Sequence, residues 1–296
     1  MTARRLDPET FDWASGGGGA EDVRRIAAAA AEHDGREALN EAAQLTLRNH
    51  GLDTAFLLLD DDGFAYVHGL SGAGRPELDL VVHPDARRRG TGRRLAEAAV
   101  ETLDGIPVTA WSHGDHPAAA RIARALGFEA VRSLWVMRRS AGVPLPSVAE
   151  PDGIAIRGYR DTDAEGVLAV NAAAFASHPE QGALDRRGLD ERMAEDWFDP
   201  AGLLVGDRDG EVVGFHWTKR HPDGTGEVYV IGVAPSTQGS GLGKALLVAG
   251  LRHLADRGSP EVLLYVESDN PAVRLYESFG FTHEARDTDV MYAPAG

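Results

Sequence analysis

The chain of 296 residues contains no cysteine. A disulfide framework, a zinc site built on thiolates and a cysteine-linked acyl-enzyme are therefore excluded. The sequence also has no stretch near the ~18 apolar residues that a membrane-spanning helix needs. Its N-terminus, MTARRLDPETFDW, lacks the apolar segment of a signal peptide. We therefore expect a cytoplasmic protein with no membrane partner.

Positive charge is scarce. The chain has 30 Lys and Arg residues against 46 Asp and Glu, a formal net charge of -16. Nucleic-acid binding needs a basic surface, so a nucleic-acid-binding regulator is the least favoured function. The local exception is the run Arg87, Arg88 and Arg89. We expect a monomer that acts on a small molecule.

An internal repeat is the most informative feature of the sequence. Residues 78–94, LDLVVHPDARRRGTGRR, align with residues 229–245, YVIGVAPSTQGSGLGKA, at an offset of 151. The pair RIARALGFEAV (121–131) and RLYESFGFTHE (274–284) follows in the same order. A duplication explains both matches, and the length suits two domains of ~150 residues. We predict domains at 1–142 and 154–296, joined by a proline-rich linker at 143–153.

The hydrophobic pattern of the second half predicts a mixed α/β sheet with helices on both faces. A turn of the Asp-Gly type at Asp209 and Gly210 predicts a hairpin. The predicted strands are 154–159, 202–207, 211–219, 227–233, 261–267 and a last strand pair. The predicted helices are 163–176, 185–198, 242–256 and 271–279, with an Ala-rich helix at 21–33 in the first half.

A glycine-rich turn opens the helix at 242. Such a turn aims several backbone N–H groups at one point, where the helix dipole also favours a pyrophosphate. The segment 238–243 is not a Walker A loop, because Gln238 and Ala245 replace the required Gly and Ser/Thr. A dinucleotide-binding fingerprint also fits poorly. Arg87–Gly92 repeats the arrangement in the first half.

The pattern V-x-P-x-x-Q/R-x-x-G-x-G, present in both halves, resembles the acetyl-CoA loop of the GNAT superfamily. Four segments narrow this resemblance to the tandem-domain branch that acetylates the cysteinyl amine of Cys-GlcN-inositol: NAAAFASHPEQG (171–182), GFHWTKRHP (214–222), GEVYVIGVAP (226–235) and LLYVESDN (263–270). The resemblance covers nearly the whole chain and is looser in residues 1–75. It implies two tandem GNAT domains and direct acetyl transfer from acetyl-CoA to a small-molecule amine.

The resemblance also implies which residues bind acetyl-CoA in the two halves. They lie at strand ends, in the glycine-rich loops and at helix starts. In the first half they are Leu80, Val81, Val82, Arg88, Arg89, Gly90, Thr91, Gly92 and Arg93. In the second half they are Ile231, Gly232, Val233, Gln238, Gly239, Ser240, Gly241, Leu242, Gly243, Lys244, Asn270, Pro271, Ala272, Val273, Arg274 and Leu275.

Acetylation of an amine needs a base, an oxyanion donor and an acid for the departing thiolate. Glu227 begins the strand before the glycine-rich loop and is the candidate base. The resemblance implies that Tyr276 protonates the sulfur and that the Val233 N–H faces the thioester oxygen. One departure stands out: Asn270 and Tyr276 are six residues apart, where the usual spacing is seven. This shortening weakens the roles given to Asn270 and Pro271.

The resemblance implies five substrate residues, which are Glu41, Glu180, Lys219, Glu227 and Tyr265. Acidic and hydroxyl groups suit a polyol that carries a protonated amine. Glu41 reaching across from the first half would explain why that half is retained. The histidines at 178, 216 and 221 are not at metal-ligand spacing, so we expect no metal site.

The first half is expected to do no chemistry. Ala123 stands in the place of Tyr276, and Pro76 precedes its loop where Glu227 precedes the other. Glu77 is one residue away, and a one-residue shift turns a strand side chain to the opposite face. That half would bind acetyl-CoA or nothing, and its role would be structural or to complete the substrate pocket. Two alternatives remain open for the whole chain: acetylation of an aminoglycoside, a polyamine or a protein N-terminus, and a non-catalytic acyl-CoA sensor.

Overall fold

The computed structural model describes residues 3–71, 74–149, 151–176 and 179–295, without the side chains at 179 and 180. Contacts divide the chain into two compact units. The first extends to Leu134 and includes the C-terminal stretch from Ala285, and the second is Trp135–Glu284. The residues of the predicted linker therefore belong to the second unit. The predicted domain boundaries remain a prediction about the duplicated segments.

The first unit follows the order of a small α/β domain. Its elements are β1 (Arg4–Arg5), α1 (Ala20–Asp34), α2 (Glu41–His50), β2 (Phe56–Asp60), β3 (Gly63–His68), β4 (Glu77–Val82), α3 (Thr91–Thr102), β5 (Thr109–Ser112) and α4 (Pro117–Ala125).

The second unit repeats this order with longer strands. Strand β6 (Phe128–Ser140) leads into it, and β12 (Thr282–Pro294) leads back to the first unit. Between them lie β7 (Ala155–Gly158), α5 (Ala164–Ala174), α6 (Pro179–Gly182), α7 (Arg186–Met193), β8 (Leu203–Arg208), β9 (Glu211–Arg220), β10 (Gly226–Val233), α8 (Leu242–Asp256), β11 (Glu261–Glu267) and α9 (Ala272–Ser278).

Each unit has a mixed sheet, as predicted. The first unit orders its strands β1-β2-β3-β4-β5-β12, and the second β6-β11-β10-β9-β8-β7. Strands β1 to β4 pair antiparallel, as do β7 to β10. The β4–β5 and β10–β11 pairs are parallel. Parallel neighbours need a crossover connection, which α3 and α8 supply.

Alternating side chains of the strands build a core on each face of the sheet. In the first unit, Leu57 and Leu59 pack with α1 and α2, whereas Phe56 and Leu58 pack with α3. In the second unit one face packs on α5 and α7, with Phe215 among the buried residues. The other face packs on α8. The predicted apolar stripe of α8 is confirmed, since all five of its leucines are buried.

Two predicted elements of the second half were wrong. The helix predicted over 185–198 ends at Met193, because Trp197 and Phe198 instead pack their rings on Trp217. The predicted last strand pair is one strand of 13 residues, β12. The predicted Asp-Gly hairpin is confirmed, and its two central residues both have positive φ, 53° and 90°.

Candidate active site

The loop between β10 and α8 forms a main-chain cradle. Gly239 and Gly241 have φ of 83° and 87°, and Gly241 directly precedes the helix. A Cβ at either glycine would meet no atom within 4 Å, so backbone conformation, not crowding, requires glycine there. Left-handed residues turn neighbouring amides toward one concavity, where the helix N-terminus adds positive potential. One of the main-chain amides expected to bind phosphate already has a partner within the loop, since Leu242 N–H donates to Ser240 Oγ at 3.3 Å.

The first unit has the same loop conformation. Arg88 and Gly90 have φ of 65° and 86°, at the positions that match Gly239 and Gly241. The arginine run is partly engaged within the protein. The Arg87 guanidinium forms two hydrogen bonds of 2.7 Å with Asp34. The predicted phosphate loop of the first unit thus depends on its main chain rather than on Arg87.

A groove of about 690 Å³ lies beside the loop of the second unit. Ser240, Gly241 and Lys244, all predicted cofactor residues, line one side, and Pro146 and Val148 line another. The segment carrying these two residues is held to the unit because Arg139 donates to the main-chain oxygens of Val143 and Phe279. The predicted linker is therefore a wall of the groove.

Strands β10 and β11 separate after Glu227. Strand β10 pairs with β11 only at Gly226 and Glu227, and beyond that point the strands diverge. Ala234 N–H donates to Val213 of β9 at 3.0 Å. Because successive residues of a paired strand turn their amides to opposite edges, the Val233 N–H faces away from β9, toward the gap.

Glu227 is buried at the mouth of this gap. The residue is 6% exposed, and its Oε2 lies 2.7 Å from His221 Nε2. Lys219 stands directly opposite it on β9. The Lys219 Nζ lies 4.8 Å from the centre of the Trp197 ring and 5.4 Å from that of Tyr229. This arrangement places a carboxylate and an aromatic-bound ammonium group on one face of the sheet.

A cavity of about 140 Å³ opens on the same face. The rings of Trp217 and Tyr229 form its sheet side, and Asp185 and Arg192 line it from α7. Arg192 Nε donates to the Tyr229 hydroxyl at 2.9 Å, which fixes both side chains. The mixed apolar and charged lining suits a small polar group.

Tyr276 and Asn270 lie at the helix α9. Tyr276 packs edge-on against Phe281, with ring centres 5.9 Å apart, and burial raises the pKa of its hydroxyl to about 12. Tyr276 is therefore protonated at neutral pH. Asn270 Oδ1 accepts a hydrogen bond of 2.9 Å from the N–H of Ala272, the first residue of the helix. Its predicted role toward the cofactor stays a prediction.

The remaining predicted substrate residues lie in different places. Glu41 begins α2 of the first unit, after the Asn40 cap. Tyr265 is on β11 and is 49% exposed. The side chain of Glu180 lies outside the described residues. Sequence reasoning missed His221 and Arg192, because only the folded hairpin and α7 bring them to Glu227 and Tyr229.

The expected orientation of Glu77 was wrong. A rung is a pair of residues that stand opposite each other on neighbouring strands. The Gly63–Val82 rung of the first hairpin matches the Gly214–Val233 rung of the second. From Gly63–Val82, the pairing of β3 and β4 runs without a shift to the rung of His68 and Glu77. Strand β10 has a bulge at 228–230 before the rung of Glu227 and Lys219. The bulge takes up one residue, so Glu77 stands on the rung that corresponds to Glu227.

The surroundings of Glu77 differ from those of Glu227. Its Oε2 lies 3.5 Å from Asn40 Nδ2, and His68 Nε2 is nearer to Asp79, at 3.1 Å. Ala123 remains buried in α4, where α9 carries Tyr276. The prediction that the first unit is non-catalytic now depends on the missing acid rather than on a missing carboxylate.

The described residues contain no group of three or more metal-ligating side chains placed to hold an ion. Nor does any of their helices combine the length and apolarity that crossing a bilayer demands.

Two glycine-rich loops, two mixed sheets and the gap between β10 and β11 together indicate the class of protein to which the chain belongs. The sequence model of the acetyltransferase (GNAT) family matches residues 21–128 and 172–281, and the chain belongs to this family. It is an N-acetyltransferase with two tandem GNAT folds. A solved GCN5-related N-acetyltransferase from Sphaerobacter thermophilus is similar over 98% of this chain and 94% of its own, with a TM-score of 0.69 and 25% identity.

Relatives of the chain carry a narrower name. The mycothiol acetyltransferase of Nocardioides sp. is 52% identical over 289 residues, which cover 91% of this chain and 96% of the relative. The mycothiol acetyltransferase of Thermomonospora curvata is 50% identical over 276 residues, 91% and 92% of the two chains.

Proposed function

We propose that the chain transfers the acetyl group of acetyl-CoA to the cysteinyl amine of Cys-GlcN-inositol and so forms mycothiol. The names and high identity of the relatives support this substrate. The observation that carries the mechanism is the position of Glu227, a buried carboxylate at the point where β10 and β11 separate.

The second unit is proposed to hold the nucleotide end of acetyl-CoA at its loop. Main-chain amides of Gln238–Lys244 would bind the pyrophosphate, and the groove beside them suits the rest of the nucleotide. The thioester arm would then enter the gap between β10 and β11. Such positioning accounts for a large part of the rate of a two-substrate reaction.

Glu227 would take the proton of the substrate ammonium. The freed amine attacks the thioester carbon, forming the N–C bond. The nitrogen then releases its second proton to solvent, and the C–S bond breaks. The Val233 N–H would donate to the oxyanion, since it faces the gap. One such donor lowers the barrier by about 3 kcal/mol.

Tyr276 would give a proton to the departing thiolate. Its raised pKa keeps the hydroxyl protonated, so a proton is present at every turnover. The same pKa makes tyrosine a weaker acid than a free thiol, whose pKa is about 8.5, so the proton transfer itself is uphill and is completed when water reprotonates the tyrosine.

Four further residues are proposed to bind the acceptor. Lys219 and Tyr265 belong to the second unit, as does Glu180, and Glu41 belongs to the first. The first unit itself is proposed to bind acetyl-CoA without chemistry, since Ala123 cannot replace the tyrosine acid.

The test is acetyl transfer by the purified full chain. The reaction is followed by the loss of primary amine and by the mass of the product. Among the amines tested, which include an aminoglycoside and a polyamine, Cys-GlcN-inositol should have the highest kcat/KM. Glu227→Gln and Tyr276→Phe should each lower kcat by about 10²-fold or more.

The matched control is Glu211→Gln, an exposed carboxylate on β9 that should leave kcat unchanged. Full turnover by the Glu227→Gln protein would remove the proposed base. A higher kcat/KM for another amine would change the substrate but not the mechanism.

A further inference from the structure

The proposed base has a side-chain partner that the mechanism above does not use. His221 Nε2 lies 2.7 Å from Glu227 Oε2, across the hairpin of β9 and β10. A carboxylate oxygen can only accept a hydrogen bond, so Nε2 carries the hydrogen and donates it to Glu227. A charged acceptor makes such a hydrogen bond short and strong.

The turn of the hairpin holds the backbone of His221 on both sides. His221 N–H donates to the main-chain oxygen of Thr225 at 2.8 Å, and Gly224 N–H donates to that of His221 at 2.9 Å. Asp223 Oδ1 accepts from Thr225 N–H at 2.8 Å and closes the turn. The imidazole therefore extends from a fixed point toward Glu227.

The hydrogen bond from His221 is important because the Glu227 side chain is buried. The Glu227 side chain is 8% exposed and that of His221 is 29% exposed. A carboxylate that has left water needs hydrogen-bond donors to remain charged. Its last torsion is also soft, so without a donor the carboxylate plane rotates freely.

We propose that His221 is a positioning residue, which holds one oxygen of Glu227 so that the other oxygen faces the substrate amine. This proposal rests on the proposed role of Glu227 as the base. The charged groups around the pair are Lys219, on the rung of Glu227, and Asp223, in the turn. Neither replaces the donor that His221 supplies at Oε2.

The first unit lacks this arrangement. Leu70 stands at the position that matches His221 at the offset of 151. Glu77, on the rung that corresponds to Glu227, accepts a hydrogen bond of 3.5 Å from Asn40 Nδ2, and His68 Nε2 lies 3.9 Å away. The two units therefore surround this carboxylate with different side chains, and the histidine in the hairpin turn belongs to the second unit.

The experiment compares His221→Ala, His221→Gln and the wild type in steady-state kinetics with acetyl-CoA and Cys-GlcN-inositol. His221→Ala should lower kcat by about 10- to 100-fold, the effect of a misplaced catalytic group, with KM values within about threefold. His221→Gln, whose amide donates from nearly the same place as Nε2, should recover most of the lost rate.

Two further variants show whether His221 acts through Glu227. His221→Ala should have no added effect in the Glu227→Gln background, because the group that it positions is gone. His253→Ala is the matched control: His253 Nε2 also pairs with a carboxylate, Asp199 Oδ2 at 3.3 Å, but away from the gap. Its kcat should equal that of the wild type.

The proposal is overturned if His221→Ala has the wild-type kcat, if His221→Gln is as slow as His221→Ala, or if His221→Ala lowers the Glu227→Gln rate as much as the wild-type rate. Unfolding temperatures of the variants separate a folding defect from a kinetic one. A wild-type rate for Glu227→Gln defeats the proposed function itself and is recognised before any His221 variant is measured.

Discussion

At the scale of single residues, the molecule places strained or buried groups where ligands are expected. Glu227 is a carboxylate out of water with an imidazole donor. Arg88 adopts a left-handed conformation that costs most residues 1–2 kcal/mol or so. The second unit has glycine at the matching position and avoids this cost. An arginine is retained at Arg88 against its conformational preference, which fits a phosphate contact.

Arg88→Gly should raise the free energy of unfolding slightly, by about 0.5 kcal/mol. Removing the left-handed strain stabilises the fold, and the extra freedom of glycine in the unfolded chain offsets part of it. Denaturant unfolding measures the change. Arg89→Gly is the control and should destabilise, because Arg89 does not have positive φ. Equal losses in both variants would contradict the argument.

At the scale of elements, helix α8 does two tasks. Its N-terminus carries the phosphate loop, and its buried stripe packs on β9. The contact is close at Gly250, where a Cβ would lie 2.1 Å from the His216 ring. His216 is fully buried, and its Nδ1 donates to the main-chain oxygen of Leu246 at 2.8 Å.

Gly250→Ala should destabilise the second unit by about 3 kcal/mol, although alanine favours helix by about 1 kcal/mol. The added methyl has to displace a buried ring. Gly243→Ala, in the same helix, is the control: its Cβ would meet Val233 at 3.6 Å, an ordinary contact. Thermal unfolding of both variants checks the prediction, and similar midpoints would refute it.

The stability of the protein should depend on pH through His216. Burial lowers the pKa of His216 to about 4 from 6.5. The stability that His216 contributes is complete above pH 6.5 and is lost as pH falls toward 4. Between these pH values the imidazole binds a proton in the unfolded state but not in the folded state. The loss amounts to about 3 kcal/mol. Between pH 7.5 and 4, the free energy of unfolding should fall less in His216→Asn than in the wild type. An identical fall in both proteins would show that His216 does not contribute.

At the scale of the whole molecule, both units have the same loop conformation, whereas the proposed acid is a tyrosine in the second unit alone. Both loops have two left-handed residues at matching positions, although their side chains differ. Binding of the pyrophosphate by main-chain amides tolerates such substitutions. The proposed acid role does not tolerate such a substitution, because the methyl group of Ala123 has no proton to donate.

Calorimetric titration of the full chain with acetyl-CoA should therefore give close to two equivalents. Gly241→Val and Gly90→Val should each reduce the number to one, because a β-branched residue at positive φ distorts the loop. One equivalent in the wild type, removed by Gly241→Val alone, would show that the first unit binds no cofactor.

The sequence was sufficient for most elements of the second half, the two loops and the family. These depend on local spacing: apolar residues at helical period, glycines at positive φ and a repeat at an offset of 151. Most helix and strand bounds of the second half fell within one or two residues of the observed ones. Strong periodicity and turn residues carry that information in the chain itself.

Other features appear only when distant segments meet. The bulge at 228–230 is a matter of register between two strands, so spacing alone put Glu77 on the wrong face. The His221–Glu227 contact exists because the hairpin closes, and β12 joins the first unit because of its packing. Residue types and local periods specify elements, whereas register and pairing arise from the free energy of the assembled core.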